Sequence, residues 1–365
     1  MLEILTGNVI QILNKRKGIT EVLLNIDHPV KRAVNYDRIT GSVKVGDKLY
    51  LNTTAATLSL GTGGVHFVIA NTTTRIHYMT SGGHGMKVRY TPFQVRIPFA
   101  EEELINKREI YQEPLSLNKK VICFCELHSM IPVLCACFHF LSPNNISIGY
   151  IMTDHAALPL LFSDNIAILK ERNLLSKTIT IGNAFGGDYE CVNIYTGLQT
   201  AAMIENSDVI LVSMGPGITG TGSRYGFSGL ELGMYLDLAF RHGGQCFIVP
   251  RISFRETRLR HFGISHHTLT LLRDIIQCPL PVPLPILEKA KVRILYKKLH
   301  DEGILKKHQV SFIDGCWVQK ALEYYKLSVT TMGRGIKDDP DFFFGIGAVA
   351  YKACKSFICR TGYKA

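Results

Sequence analysis

The chain has no apolar run long enough to read as a membrane span, no block of like charge, and no lysine where a phosphate-gripping P-loop would need one. Each absence removes a class. The most apolar stretch, residues 121–141, is interrupted by Glu126, His128, Pro132 and His139. A span needs about twenty nearly uninterrupted apolar residues, so this stretch is expected to be a buried strand followed by a helix, with no membrane association. Charged residues make up only 19 % against 46 % hydrophobic, which excludes broad disorder. Residues 1–9 carry Glu3 and no basic segment, and are not expected to act as a secretory leader.

What is present suggests two domains in 365 residues, or one large and one small. The net charge of +11 favours anionic partners: nucleic acid, phosphorylated metabolites or acidic lipid. That charge is dispersed over 15–17, 119–120, 297–298 and 306–307, which favours a solvated basic surface over a dedicated nucleic-acid patch. Most of the ten cysteines sit in apolar runs, as buried reduced thiols do, so a cytoplasmic location is expected. Cys123-x-Cys125 and Cys135-x-Cys137 look like a zinc set on paper. However, Cys135 and Cys137 on a helix point about 200° apart, and four ligands cannot converge.

The first seventy residues predict short strands at 7–13, 20–26, 30–35, 48–52 and 66–69, with turns at Lys17-Gly18, Val45-Gly46-Asp47 and 61–64. This spacing predicts a small antiparallel β-barrel over 1–70, a scaffold that binds oligonucleotides or serves as an accessory or dimerisation module. Residues 71–118 form a polar and basic connector, with a glycine-bracketed His84. From 119 to 365 the pattern changes to alternating strands and helices. Strands are predicted at 121–126, 146–153, 178–182, 209–214, 246–250, 310–314 and 328–332. Helices are predicted at 132–141, 158–172, 192–205, 229–242, 268–276, 287–300, 317–325 and 340–354. Fully apolar strands such as 209–212 are buried on both faces. The fold class is therefore α/β, a doubly wound, mostly parallel sheet with helices on both faces, whose ligands sit beyond the carboxyl ends of the strands.

At those strand ends lie His128, Asp154-His155, 182–188, 215–229, 251–267, Asp314 and Gly333-Arg334-Gly335. The glycine loop 215–229 contains a literal G-x-G-x-x-G between a strand and a helix. Three details argue against a dinucleotide site. The loop runs well past its third glycine, it follows a middle strand, and the next strand ends at Pro250-Arg251 with no carboxylate for a ribose. Gly222 is followed by Ser223-Arg224 rather than lysine, which argues against a P-loop ATPase. A broader expectation survives: Gly215, Gly217, Gly220, Thr221, Gly222, Ser223 and Arg224 line an anion-accepting turn, backed by Arg251. Arg255, Arg258, Arg260 and His261 extend that basic stretch.

Ser265 is a predicted N-cap for a helix that starts at His266-His267. Histidines in a first turn are disfavoured as imidazolium, which suits a general base or a metal ligand. Adjacent helical residues point about 100° apart, so one of the two, rather than both, is expected to act. Candidate catalytic residues are His266, His267, Asp154 and Asp188, with His84, His155 and Arg334 as possible site lining. A His/Asp metal site drawn from these residues lacks any local ligand spacing, so neither a metal nor a cofactor is named. Asp338-Asp339-Pro340-Asp341 is a helix start, with Asp339 as cap and Pro340 first.

Several long motifs, in order, resemble a known family. They are Asn52-Thr53-Thr54-Ala55, Leu60-Gly61-Thr62-Gly63-Gly64-x-His66-Phe67-Val68 and Met86-Lys87-x-Arg89-Tyr90-Thr91-Pro92. Gly215-Pro216-Gly217-Ile218-x-Gly220-Thr221-Gly222, Pro250-Arg251-Ile252-Ser253, Ser265-His266-His267-Thr268 and Met332-Gly333-Arg334-Gly335 follow. Together they resemble the bacterial domain-of-unknown-function family 3866 over nearly the whole chain. The resemblance implies a bacterial cytosolic protein and assigns no catalytic residue. Three functional classes are expected to compete: an enzyme, or former enzyme, for a small anionic metabolite; a nucleic-acid or nucleotide binding module; and a non-catalytic interaction protein. A homo-oligomer is compatible with all three.

Overall fold

The structure is a computed structural model that describes residues 2–60, 64–74, 83–142 and 146–361, with the side chains of 359–361 excepted. Two compact units divide at Pro98 and Phe99. Residues 71–98 therefore belong with the first unit, and 99–118 with the second.

The first unit is a closed five-stranded barrel in the order β1-β2-β3-β5-β4. Its strands are β1 (Ile4–Arg16), β2 (Ile19–Asn25), β3 (Arg32–Tyr36), β4 (Lys48–Asn52) and β5 (His66–Asn71). Four pairs are antiparallel, as expected, while β3 and β5 pair in parallel. Val9, Val22, Leu24, Leu49, Leu51 and Val68 fill the interior. Two bulges in β1, at Val9/Gln11 and Ile12/Asn14, bend this long strand so that it can pair with β2 and β4 in turn. Gly18 and Gly46 hold the predicted turns with φ of 82° and 91°, where L side chains are strained. The buried Asp47 carboxylate accepts Lys44 N–H and Asn71 Nδ2. The turn expected at 61–64 lies mostly outside the described residues. A short hairpin, β6 (Gly85–Lys87) with β7 (Val95–Ile97), completes this unit.

The second unit is built on a six-stranded, all-parallel sheet in the order β11-β10-β9-β12-β8-β13. The strands are β8 (Val121–Cys125), β9 (Ile148–Thr153), β10 (Lys177–Thr180), β11 (Tyr189–Glu190), β12 (Val209–Met214) and β13 (Gln245–Val249). Alternate residues of β8 face two different cores, Val121, Cys123 and Cys125 one way and Ile122 and Phe124 the other. The helix Met130–Leu141 covers the first face and the helix Glu231–Arg241 the second. Cys135 and Cys137 pack into the first core, where burial pushes their thiols up. No helix among the described residues is long and apolar enough to cross a membrane.

Three elements differ from expectation. Residues 309–313 do form a strand, β17 (Gln309–Ile313), but it pairs only with β16 (Pro281–Pro285), outside the main sheet. Three prolines hid β16. Pro281, Pro283 and Pro285 alternate, so their missing donors all face the side of β16 that carries no partner, where proline is tolerated. The strand predicted at 328–332 is absent: only a Thr331–Arg334 bridge forms there. The remaining short pair is β14 (Ile252–Ser253) with β15 (Gly263–Ile264).

The chain runs from β8 across to β9 and out to β11, then returns through β12 to β13. Connections after β8 and β9 thus cover one face, and those after β11 and β12 the other. Where loops on neighbouring strands part to opposite faces, a crevice opens at the carboxyl ends. Here that crevice lies over β9, β12 and β8.

The long helix Pro340–Thr361 starts at Pro340 as expected, although the Asp339 carboxylate turns instead to Ser253 Oγ (2.6 Å) and Arg334 Nε (3.2 Å). This helix meets the backbone after β17 at a glycine pair. A Cβ on Gly315 would lie 2.0 Å from Phe344 O, and one on Gly347 2.5 Å from Gly315 O. Gly315→Ala is therefore expected to cost about 2 kcal/mol or more through overpacking. Gly345→Ala, whose new Cβ meets only Ile252 Cδ1 at 3.4 Å, should be neutral or gain under ~1 kcal/mol of helix propensity. Urea unfolding of both variants checks the contrast, and equal midpoints would contradict it.

Candidate functional site

Beyond β8 and β13 the backbone is gathered by one carboxylate. Glu126 follows β8 directly and is only 2 % exposed. Its Oε1 accepts the Thr268 hydroxyl and the Arg251 N–H (3.4 Å), and the same N–H reaches Thr268 Oγ1 at 3.1 Å. Arg251 in turn gives its carbonyl to Ser265 N–H (2.9 Å). Ser265 caps the helix His266–Thr270 as predicted, its Oγ accepting His267 N–H at 3.2 Å. The helix continues as a π-turn through Leu271–Ile275.

This arrangement brings His261, His266 and His267 together. Ring centroids lie 4.3 Å apart for His266 and His267, 4.8 Å for His261 and His266, and 5.0 Å for His261 and His267. Both first-turn histidines thus share one cluster, where helical geometry alone favoured one. His261 enters from the other side, on the connection between β14 and β15. Phe227, from the glycine loop, stacks on His267 at 4.0 Å and 10°.

Tautomers follow from the donors. Arg260 Nε points at His261 Nε2 (3.4 Å), so that nitrogen accepts, and Nδ1–H donates to Ser265 Oγ at 2.9 Å. His266 Nε2 and His267 Nδ1 are buried without a hydrogen-bond partner. An orphaned buried polar atom costs about 1–3 kcal/mol and calls for a specific explanation. Burial, followed by the positive charge of Arg251, Arg258 and neighbouring rings, pulls His261 down to about 3. Burial and the adjacent histidines do the same to His267, to about 3, and burial with Arg260 lowers His266. All three are neutral imidazoles near pH 7.

The arginines are partly compensated. Arg251 Nη2 pairs with Glu256 (3.0 Å), which Arg258 grips through Nε (3.0 Å) and Nη2 (2.7 Å). The Arg258 hydrogen bonds hold Glu256 down to about 2. Among the described residues no carboxylate pairs with Arg260, which reaches toward the glycine loop, where a Cβ on Gly222 would lie 2.5 Å from its Nη1. A Cβ on Gly220 would come within 3.6 Å of His267 Nε2. The loop tip therefore lies over the histidine–arginine cluster.

The loop itself differs from a phosphate cradle. Thr221 N–H donates to Gly226 O, and Ser228 N–H to Thr219 O. Thr221 Oγ1 and Ser223 Oγ bond each other at 3.0 Å. Arg224 forks onto Asp274 at 2.9 and 3.0 Å. Gly217 and Gly222 hold φ of 100° and 84°, which explains their glycine. Gly215 packs on the Ala157 carbonyl. At the positive end of the following helix stands the chain's own Glu231.

A second cluster occupies the crevice between β9 and β12. His155 Nδ1 pairs with Glu231 and, at 3.3 Å, with Asp154. Thr153 donates to Glu231. Burial raises Glu231 to about 7. Asp154 also accepts Asn183 N–H at 2.8 Å. Its anchoring strand lies three spacings from β13, about 14 Å, and its carboxylate bonds within its own cluster. Asp188 lies elsewhere: it precedes β11, at the amino end of the sheet, and binds Lys170 and Thr178 N–H (2.9 Å). Parallel pairing of β11 with β10 puts it there. His84 is exposed in the other compact unit. His128 is buried under the mouth, with Ser163 Oγ at 2.7 Å and Tyr150 OH at 3.1 Å. Among the described residues, the groups whose donors could hold a metal are His261/His266/His267 and Asp154/His155/Glu231.

Glu126, Glu231 and Glu256 were not singled out by sequence, and His261 was seen only as part of a basic run. Glu126 had a usable signal, since a carboxylate directly after an all-apolar strand falls at the carboxyl end. A barrel followed by a doubly wound parallel sheet with a polar mouth defines the class of protein as a two-unit α/β protein. Within that class, residues 32–350 match the family described as "Protein of unknown function (DUF3866)", and the chain belongs to this family. No curated protein and no solved structure matches.

Burial raises Glu126 from its ordinary 4.5 to about 7, against the lowering hydrogen bond from Thr268 and charge of Arg251. A carboxyl with a raised folded pKa binds its proton more tightly in the fold than in the unfolded chain. Its contribution is therefore complete below pH 4.5 and lost as pH rises to 7. Between pH 4.5 and 7.5 the wild type should lose on the order of 3 kcal/mol relative to Glu126→Gln. Paired denaturation series read that difference, and parallel curves would remove Glu126 from its assigned state.

Proposed function

We propose that the protein binds, and transforms by acid–base chemistry, a small phosphorylated or carboxylated metabolite at the carboxyl ends of the α/β strands. The observation that carries this reading is the neutral His261–His266–His267 trio lying beside Arg251, Arg258 and Arg260. Guanidinium groups attract and orient an oxyanion, while an uncharged imidazole within reach can take or deliver a proton. In this reading the arginine bonds made by Arg260 and the exposed part of Arg258 hold the anion, and His266 or His267 acts as the base. The glycine loop closes one wall through Gly220 and Gly222 rather than through its hydroxyls, which are engaged within the loop. Asp154, His155 and Glu231 serve a separate subsite over β9. A bacterial cytoplasmic setting goes with the proposal. The family resemblance supplies the first term, and nine free thiols among the described cysteines support the second.

A second reading, nucleic-acid binding, is favoured by one observation: a five-stranded closed barrel is the architecture that OB-type domains use for oligonucleotides. That support is fold-level analogy only.

Thermal-shift titration with inorganic phosphate, phosphosugars, nucleotides, dicarboxylates and a short RNA separates the two. The first reading expects a small anion to raise Tm, with Arg260→Gln weakening that ligand roughly 10-fold or more. Stabilisation by RNA alone, with a salt-dependent affinity, would transfer function to the second reading. If no small anion shifts Tm, and Gly217→Ala with His266→Ala leaves the cellular role intact, the first reading fails.

A further inference from the structure

We propose that His261, His266 and His267 bind one divalent transition-metal ion of the zinc class, leaving a fourth position that faces Arg260 and the glycine loop. Each histidine offers one nitrogen, and the three nitrogens already lie within 4.8 Å of one another. Zinc bonds to imidazole at about 2.0–2.1 Å, so a tetrahedral set needs nitrogens about 3.4 Å apart, which small ring rotations can provide. The donor set is all imidazole, which suits zinc, copper, iron or nickel over magnesium or calcium.

Independent observations point to an ion. His267 is only 5 % exposed, and its Nδ1, like His266 Nε2, is buried with no partner. Coordination gives such a nitrogen a partner that no protein group supplies. The remaining ligand is oriented in advance: His261 Nδ1–H donates to Ser265 Oγ, the outer-shell contact that metal-bound histidines commonly make. That leaves His261 Nε2 with a lone pair, held only by a long 3.4 Å contact from Arg260.

The arginines oppose a bare cation. Arg251 and Arg258 are already paired with Glu256. A metal on His261 Nε2 displaces Arg260, freeing its guanidinium to meet an anion bound at the fourth position. The inference rests on the anion-binding half of the proposed function, the anion completing the coordination; with all three lone pairs on the ion none of these imidazoles is then the base, and metal uptake alone does not require the anion.

The test is titration of the chelator-treated full chain with Co(II), in buffer free of phosphate and carboxylates. The expected result is one equivalent per chain with tetrahedral d–d absorption, displaced by Zn(II). His261→Ala and His267→Ala should each weaken it at least 100-fold, while His84→Ala and His155→Ala leave it unchanged. Circular dichroism confirms folding, and His261→Gln replaces any variant that does not fold. No uptake by the folded wild type overturns the proposal. So does uptake that survives in folded His261 and His267 variants, or that is lost with His155→Ala. A cobalt spectrum without any anion-induced Tm shift would sink the metabolite reading and leave the metal site standing.

Discussion

The Glu126 carboxylate ties together three pieces of chain that are far apart in sequence. It stands one residue beyond β8, takes the Thr268 hydroxyl from the His266 helix, and takes the Arg251 N–H from the segment that leaves β13. The His266 helix and the basic segment also bond each other directly, Ser265 N–H to Arg251 O and Arg251 N–H to Thr268 Oγ1, and Glu126 fastens that pair to the end of β8. Burial of this carboxylate is itself costly unless it is protonated or hydrogen-bonded. Its raised pKa and its bonds are two sides of that same constraint.

The placement of both candidate clusters in the second unit follows from where the sheet reverses. Connections leave β8 and β9 over one face and β12 over the other, so side chains at the carboxyl ends of these strands meet above an open edge of backbone. Two chemically distinct clusters result. Over β9 and β12, carboxylates and a single histidine form an acidic site. Over β8 and β13, three uncharged imidazoles stand in the field of three arginines. The glycine loop spans both, and Glu231, in the first turn of the helix that follows it, takes the positive helix end where a bound phosphate would otherwise sit.

Much of this was legible in the sequence. The barrel, five of the six sheet strands, the Ser265 cap and the Pro340 helix start were all read from periodicity and capping chemistry. Strand-end placement found Arg251, His266, His267, Asp154 and His155. Long-range pairing is what sequence could not supply. β16 was masked by prolines whose cost depends on which side carries a partner. Asp188 was assigned to the mouth because the two-residue β11 went unseen, and its parallel pairing places Asp188 at the opposite end. His261 joins His266 and His267 only because β14 and β15 fold back on each other. The engagement of Arg224 by Asp274, fifty residues away, is likewise invisible to local reasoning.

The central claim is that His261, His266 and His267 are held together as neutral imidazoles by burial and arginine charge. Long-range proton–nitrogen NMR of the histidine rings at pH 5.5 tests it most directly, because an ordinary exposed imidazole is mostly protonated there. The account predicts neutral-ring patterns for His261 and His267, with His261 protonated at Nδ1. Imidazolium patterns for His261 and His267 at that pH would contradict it.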